Sequence, residues 1–340
     1  MLIINDFFKR KKEAVSNQME ALLNKTDGKI ISATRFMKQK AMQRNDRKDK
    51  IYIYNPIVYQ LIMTLNVLLS KDDIHIFEEE PNIYKEYLFN FSKKNIYVSM
   101  YRKPYPKYIQ HLKKYKNLKG VFVELEDHKD ILINEGISKE LCHVTKTPAK
   151  ISRKKNAKQY NPNNINLLFA SWNNMEKGDH LKDRGLIYLL DLLVLNKNMN
   201  LTILLRDDKI KKFNKIVEEK KLISRVRLID VKEENLEDEF DNCDFVVFPI
   251  QKVLTKDVPN SLIDGISRGK PLIITDVFGF SKFVLDNNIG IVIKPNTKPI
   301  KLNLSKDDYK KMSDRAYKMS EDFTSDNYTS KIISVYRGEK

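Results

Sequence analysis

Three cations and one short stretch of backbone carry the clearest chemical potential in this 340-residue chain. Lys177, Lys182 and Arg184 fall between an apolar run ending at Ala170 and a helix-like run opening at Gly185. Cations in a strand-to-helix loop suit a phosphate or diphosphate, and Arg can grip it bidentately; the plainer alternative is a solvated basic loop. A second stretch, Val253 to Val284, reads VLTKDVPNSLIDGISRGKPLIITDVFGFSKFV. Pro259-Asn260-Ser261 reads as a helix start: proline costs no hydrogen bond in a first turn, and Asn and Ser can cap backbone N–H groups. A helix N-terminus at the C-terminal edge of a parallel sheet is a place where phosphates bind. Asp264, one turn into that helix, could accept a pair of hydroxyls or could simply be favoured by the helix dipole.

Other candidates are weaker. Glu78, Glu79 and Glu80 follow a short strand, where one could orient an acceptor hydroxyl or act as a base, although three acids in a row usually make a solvated turn. Arg102 and Lys103 follow the next strand and could meet an acidic acceptor. His75 alternates with Ile74 and Ile76 and reads as a satisfied core histidine. Tyr101, Tyr105 and Tyr108 interleave with Lys107, Lys113 and Lys114, which suits either a membrane-surface helix or a half-buried helix with snorkelling lysines. The five histidines are scattered and the two cysteines, Cys142 and Cys243, are far apart. No metal set is visible, and the thiols read as reduced core groups of a cytosolic protein. Nothing resembles a nucleic-acid motif.

The net charge is +17, with 28 Lys+Arg against 18 Asp+Glu in residues 1–150. Such an excess suits an acidic partner or reflects a Lys-rich composition. Met1 to Phe8 reads as a strand rather than a secretion signal. Ile57 to Leu69, the longest apolar segment, is too short to span a bilayer and reads as a buried helix.

Short apolar runs alternate with helical patterns along the whole chain. In the first half, strands are expected at 2–5, 30–31, 51–54, 74–77, 95–100 and 120–125, and residues 35–50 as an exposed basic loop or frayed helix. Residues 149–164 have the composition of a linker. The alternation then restarts, with strands at 166–170, 201–205, 226–229, 245–248, 271–275 and 290–293 and closing helices at 305–320 and 327–336. The pattern predicts an α/β protein of two doubly wound Rossmann-like domains, 1–148 and 165–322, with a last helix in 323–340 packing back toward the first domain. Sites belong at the C-terminal edges of the sheets, in a cleft between the domains.

The stretch from Lys256-Asp257-Val258-Pro259-Asn260-Ser261-Leu262-Ile263-Asp264 through Arg268-Gly269-Lys270-Pro271 to Phe278-Gly279 resembles the donor-binding signature of GT-B glycosyltransferases, specifically glycosyltransferase family 4. Asn166 to Leu189 is similar to that family's strand, basic loop and helix around the donor diphosphate, and Asp244 to Pro249 to its Asp-hydrophobic-Pro strand. The family's first acid falls on Lys256, with Asp257 one residue off; its second falls on Asp264; its N-terminal glycine loop is missing. The resemblance implies a retaining hexosyltransferase that moves a sugar from a UDP- or GDP-sugar to a hydroxyl of a glycan or lipid-linked glycan, with no metal or other cofactor required. It implies donor contacts from Asn173, Lys177, Arg184, Arg206, Lys256, Asn260, Ser261 and Asp264, catalytic roles for Asp257, Asp264 and Glu78, and acceptor contacts from Arg102 and Lys103. The expected location is cytoplasmic, at most peripheral on the inner membrane face. Two other classes fit parts of the sequence: a catalytically silent GT-B-like binding or scaffold protein, and a basic membrane-surface protein.

Overall fold

The computed structural model describes every residue except 6–13, 34–49, 54, 78–81, 156–157, 171–179, 206–210, 231–235, 253–256 and 340. It divides into two compact units, Met1–Pro148 with Ser325–Lys340, and Ala149–Thr324.

The first unit runs β1 (Leu2–Asn5), α1 (Ala14–Lys25), β2 (Lys29–Ala33), β3 (Lys50–Ile53), α2 (Pro56–Leu69), β4 (Ile74–Phe77), α3 (Ile83–Ser92), β5 (Ile96–Ser99), α4 (Pro106–Leu112), β6 (Leu118–Val123), α5 (Glu126–Asn134) and β7 (Cys142–Val144). The strands form one parallel sheet in the order β3-β2-β1-β4-β5-β6-β7. Alternate side chains feed two cores, as a sheet covered on both faces requires. Ile4, Ile31, Ile76, Val98 and Val121 pack against Met63, Val67, Phe89, Leu112 and Leu132. Ile3, Ile30, Phe77, Tyr97 and Phe122 pack on the other side against Met19, Leu22, Tyr328 and Ile332. Tyr328 and Ile332 belong to the last helix of the chain, which lies beside α1.

Local signals set several element ends. Asn55 caps α2, its Oδ1 accepting from the N–H groups of Ile57 and Val58 (2.9 and 3.3 Å). Gly136, with φ +90°, ends α5 in the left-handed conformation that glycine adopts without strain. The N–H groups of Gly136 and Ile137 return to Ile133 and Leu132 (2.9 and 3.0 Å).

The second unit runs β8 (Ile165–Ala170), α6 (His180–Asp183), α7 (Leu186–Leu195), β9 (Met199–Leu205), α8 (Lys211–Glu219), β10 (Val226–Asp230), α9 (Leu236–Asn242), β11 (Phe245–Phe248), α10 (Asn260–Ser267), β12 (Leu272–Thr275), α11 (Phe280–Asp286), β13 (Gly290–Ile293) and α12 (Lys306–Met319). Its sheet has the order β10-β9-β8-β11-β12-β13, again all parallel. After Thr324 the chain rejoins the first unit as α13 (Ser325–Tyr336).

Four outcomes bear on the expectations above. The short β7 has no counterpart in the sequence pattern, because three residues are too few for a period to show. Residues 149–155 and 158–164 are laid against the second unit: Ser152 on Glu237, Arg153 on Ser320 and over the Tyr317 ring at 4.2 Å, and Lys158 on Asp244 at 2.8 Å. His75 is fully buried between the Tyr336 hydroxyl and Ser99 Oγ, and burial lowers its pKa to about 3, so it is a neutral core group. The expectation of a buried helix at 57–69 is corrected: α2 buries only Tyr59, Met63 and Val67. Ile57, Val58, Leu61, Leu65, Leu68 and Leu69 are exposed, because the sheet covers only one side of α2.

Candidate functional site

The order of the second sheet locates the site. The chain builds outward from β8 through β9 and β10, then returns to the other side of β8 to lay down β11, β12 and β13. The switch point therefore lies between β8 and β11, and ligands of doubly wound sheets bind outside the C-terminal strand ends there.

The loop before α7 and the exit of β11 are joined at that point. Gly185 takes φ +76° and opens α7. A Cβ at this position would fall 1.8 Å from the Pro249 carbonyl oxygen, so only glycine permits the approach. The Gln251 N–H donates to the Asp183 carbonyl (2.8 Å), its Nε2 to the Pro249 carbonyl (2.6 Å), and its Oε1 accepts from Asn296 N–H (2.5 Å). Thr275 Oγ1 donates to the Ile250 carbonyl (2.5 Å). Arg184 is thereby held next to the switch point; burial lowers its pKa, but a guanidinium remains charged.

Helix α10 supplies the second part. Pro259 is its N-cap, a residue whose side chain offers no hydrogen bond to the first turn. This corrects the expectation that Pro259 lies in the first turn and that Asn260 or Ser261 caps: both polar residues are already helical. The first-turn N–H groups and the positive end of the dipole favour an anion. Gly265 lets α10 settle onto β11, where a Cβ would meet Val246 Cγ2 at 2.6 Å. The far end closes on Gly269 at φ +64°, with Gly269 and Lys270 N–H returning to Ile266 and Gly265 (2.9 Å each).

Asp264 is buried, and its Oδ1 accepts the Lys150 N–H at 2.7 Å, which orients the carboxylate. Asp257 is also buried, two residues before the cap of α10. Arg184, Asp257, Asn260, Ser261 and Asp264 thus all sit on the loop before α7 or on the segment from the exit of β11 into α10. Arg102 and Lys103 lie in the first unit after β5 and are exposed. The expectations for Glu78, Asn173, Lys177, Arg206 and Lys256 fall outside the described residues.

Sequence reasoning missed Gln251 and the Lys150 amide, since neither a lone Gln nor a backbone N–H has a signal in sequence. It also missed a charged layer at the opposite, N-terminal edge of the sheet. There Arg268 pairs with Glu237 and Asp241, and Lys270 donates to the carbonyls of Asp241 and Cys243 (2.8 and 2.7 Å). Burial pulls the Lys270 pKa down to about 8. Flanking Gly269, this pair would pass for exposed cations, yet both are buried and fasten α9 to α10. Among the described residues no group of three or more His, Cys, Asp or Glu could hold a metal ion.

Two doubly wound parallel units, the second with Arg184 and a helix N-terminus at its switch point, have the architecture of a nucleotide-sugar glycosyltransferase of GT-B fold. The sequence model of glycosyl transferases group 1 matches residues 150–323, just over half of the chain, and the protein belongs to that family. No curated protein sequence matches it. Among solved structures it is similar to HepE of Anabaena in complex with UDP, with a TM-score of 0.74, 12% identity and 99% of each chain covered. It is also similar to a glycosyltransferase of Rickettsia africae (TM-score 0.69, 14% identity, 99% of this chain and 98% of that one). A third is the lipopolysaccharide outer core galactosyltransferase WaaB in its apo form (TM-score 0.66, 13% identity, 100% and 99%). At these identities the three share the fold.

Proposed function

We propose that the protein transfers a hexose from a UDP- or GDP-sugar to a hydroxyl of a glycan or lipid-linked glycan, with retention of configuration. The observation that carries the reading is that Arg184 and the N-terminus of α10 flank one switch point, with the oriented carboxylate of Asp264 on the same helix. HepE has been solved with UDP and with UDP-glucose, which supports a uridine donor; the galactosyltransferase activity named for WaaB supports a glycan acceptor.

In this reading the β-phosphate lies against Arg184 and the first-turn N–H groups of α10, joined by Lys177, Asn173 and Arg206 from the neighbouring loops. These groups are aimed at the charge that builds on the departing diphosphate, and a fixed dipole gives its full stabilisation without reorganising. Asp264 accepts the ribose hydroxyls, its rotamer set by Lys150. Asp257 meets hydroxyls of the donor sugar, and Lys256 pairs with the phosphate or with an acidic sugar. The bond from the anomeric carbon to the β-phosphate oxygen breaks as the acceptor oxygen attacks from the same face. The acceptor proton passes to the departing phosphate oxygen, with Glu78 orienting the hydroxyl and Arg102 and Lys103 holding the rest of the acceptor. No metal is needed where side chains and helix balance the diphosphate.

Calorimetric titration with UDP, GDP and their sugars, followed by turnover with a panel of acceptors, tests this. Arg184→Ala and Asp264→Ala should each weaken nucleotide binding roughly tenfold to a hundredfold, the loss expected for one hydrogen bond to a charged group. Equal affinity in all three proteins would sink the site assignment. Failure of the wild type to bind any of the nucleotides would sink the function.

A further inference from the structure

The largest feature that donor chemistry does not use is the outer face of α2 and α3. Helix α2 has no charged residue in fourteen, and six of its aliphatic side chains are exposed. Helix α3 adds Ile83, Tyr84, Tyr87 and Phe91, the last 77% exposed. The helices are neighbours, joined by the Thr64 and Tyr84 hydroxyls, so the two stripes are continuous. Ten large side chains exposed to this degree present on the order of 1,000 Å² of apolar surface, above the few hundred Å² of an ordinary monomer's largest patch.

The rim of this face is cationic. Lys71 follows the end of α2; Lys93 ends α3. Lys94 donates to the Val67 and Ser70 carbonyls at the end of α2. On the α4 side Lys113, Lys114 and Lys116 are exposed. Lys114 is 3.3 Å from Glu86 of α3, and the Lys116 N–H donates to Asn90 of the same helix, so these two border the patch, while the Lys113 ammonium lies by Gly136 at the end of α5. Of the acids beside the rim, Glu86 is engaged by Lys114 and Asp72 by the chain's amino terminus at 3.5 Å.

We propose that the α2–α3 face docks on an anionic lipid bilayer, aliphatic and aromatic side chains entering the headgroup boundary and the lysine rim meeting lipid phosphates. The chemistry is that of interfacial binding, where apolar burial and attraction to anionic lipid add. A second copy of the chain is the poorer occupant, since two lysine rims brought together would repel. The surface expected from sequence, the tyrosine and lysine stretch of α4, takes only a supporting part: Tyr101 and Tyr108 are buried, and of its lysines Lys114 stands at the rim.

Flotation with vesicles tests the proposal without donor or acceptor, so its failure and that of the sugar-transfer reading are separate. Vesicles of phosphatidylcholine alone and of phosphatidylcholine with phosphatidylglycerol in equal parts are compared. Wild type should float with the anionic vesicles and be released as salt is raised. Leu61→Gln, Tyr87→Gln and Phe91→Gln combined should lower binding at least about tenfold. Lys71→Gln, Lys93→Gln and Lys116→Gln combined should weaken it roughly fivefold per lysine, on anionic vesicles only. Unchanged melting temperature and UDP affinity in both triples would show that folding and the donor site are intact. Absence of vesicle binding by wild type, or equal binding by the apolar triple, overturns the proposal. So does a concentration-dependent dimer in light scattering that the apolar triple abolishes while vesicle binding is absent, which would make the face an interface between copies.

Discussion

Helices α2 and α7 are built from nearly the same residues and meet opposite fates. The first reads PIVYQLIMTLNVLL and the second LIYLLDLLVL. Three of fourteen residues are buried in α2, six of ten in α7. Helix α7 lies on its sheet, is flanked by α6 and is strapped from outside: Asn196 at its C-cap donates to the Ile300 carbonyl (3.0 Å) and accepts from the Leu302 N–H (3.0 Å). Among the described residues, α2 has its sheet on one side, α3 beside it, and no such strap. An apolar sequence therefore states that a surface wants cover, and the rest of the chain decides whether cover is supplied. In the second unit that cover rigidifies the helix next to Arg184; in the first it leaves a surface for something outside the chain.

The same contrast can be broken by substitution. Gly185→Ala should have the largest effect, because the new Cβ would overlap the Pro249 carbonyl and φ is positive. A loss of at least about 4 kcal/mol is expected in urea unfolding of the second unit, with nucleotide binding lost alongside. A loss below about 1 kcal/mol would mean that the joint between the two loops is soft. Next, Leu190→Ala in α7, fully buried, should cost about 2–5 kcal/mol, whereas Leu61→Ala in α2, 59% exposed, should stay within about 0.5 kcal/mol. Equal costs would show that α2 is covered in solution.

A smaller effect separates the units by pH. Four of the five histidines lie in the first unit, and burial lowers the pKa values of His75, His111 and His143, that of His75 to about 3. For a base whose folded pKa lies below its unfolded value of about 6.5, the folded state binds fewer protons. The stability due to His75 is therefore complete above pH 6.5 and is lost as pH falls from there toward 3. His75 alone should contribute a slope of up to about 1.4 kcal/mol per pH unit in that window. His75→Gln, measured by urea unfolding of the first unit across it, should flatten the profile by that amount; an unaltered profile would mean that His75 is charged when folded.

Much of the fold was legible because parallel strands buried on both faces must be apolar runs and their helices must alternate with them. Four strands, 2–5, 74–77, 245–248 and 290–293, have the bounds expected from sequence, and the helix expected at 57–69 begins one residue earlier, at Pro56. Helix ends marked by Gly136 and Gly269 were equally visible, since both need a positive φ. The three-residue β7 was not, and neither was the burial of Arg268 and Lys270, because pairing partners such as Glu237 and Asp241 lie some thirty residues away. At the candidate site, Arg184, the start of α10 and Asp264 could be named in advance because their chemistry is local: a loop cation, a helix N-terminus, a carboxylate on its second turn.

The sequence alone determined that this chain has two β/α units, that the second carries a phosphate-suited helix after its fourth strand, and that Asp264 lies on that helix. Periodicity, glycine and proline are local properties, and one segment at a time suffices to read them. Only the tertiary structure decided which loops meet at the switch point, that Gln251 ties them, that Lys150 orients Asp264, and that α2 stays bare while α7 is enclosed. Each of these depends on contacts between residues distant in sequence, whose formation follows from strand order and not from any one segment's composition.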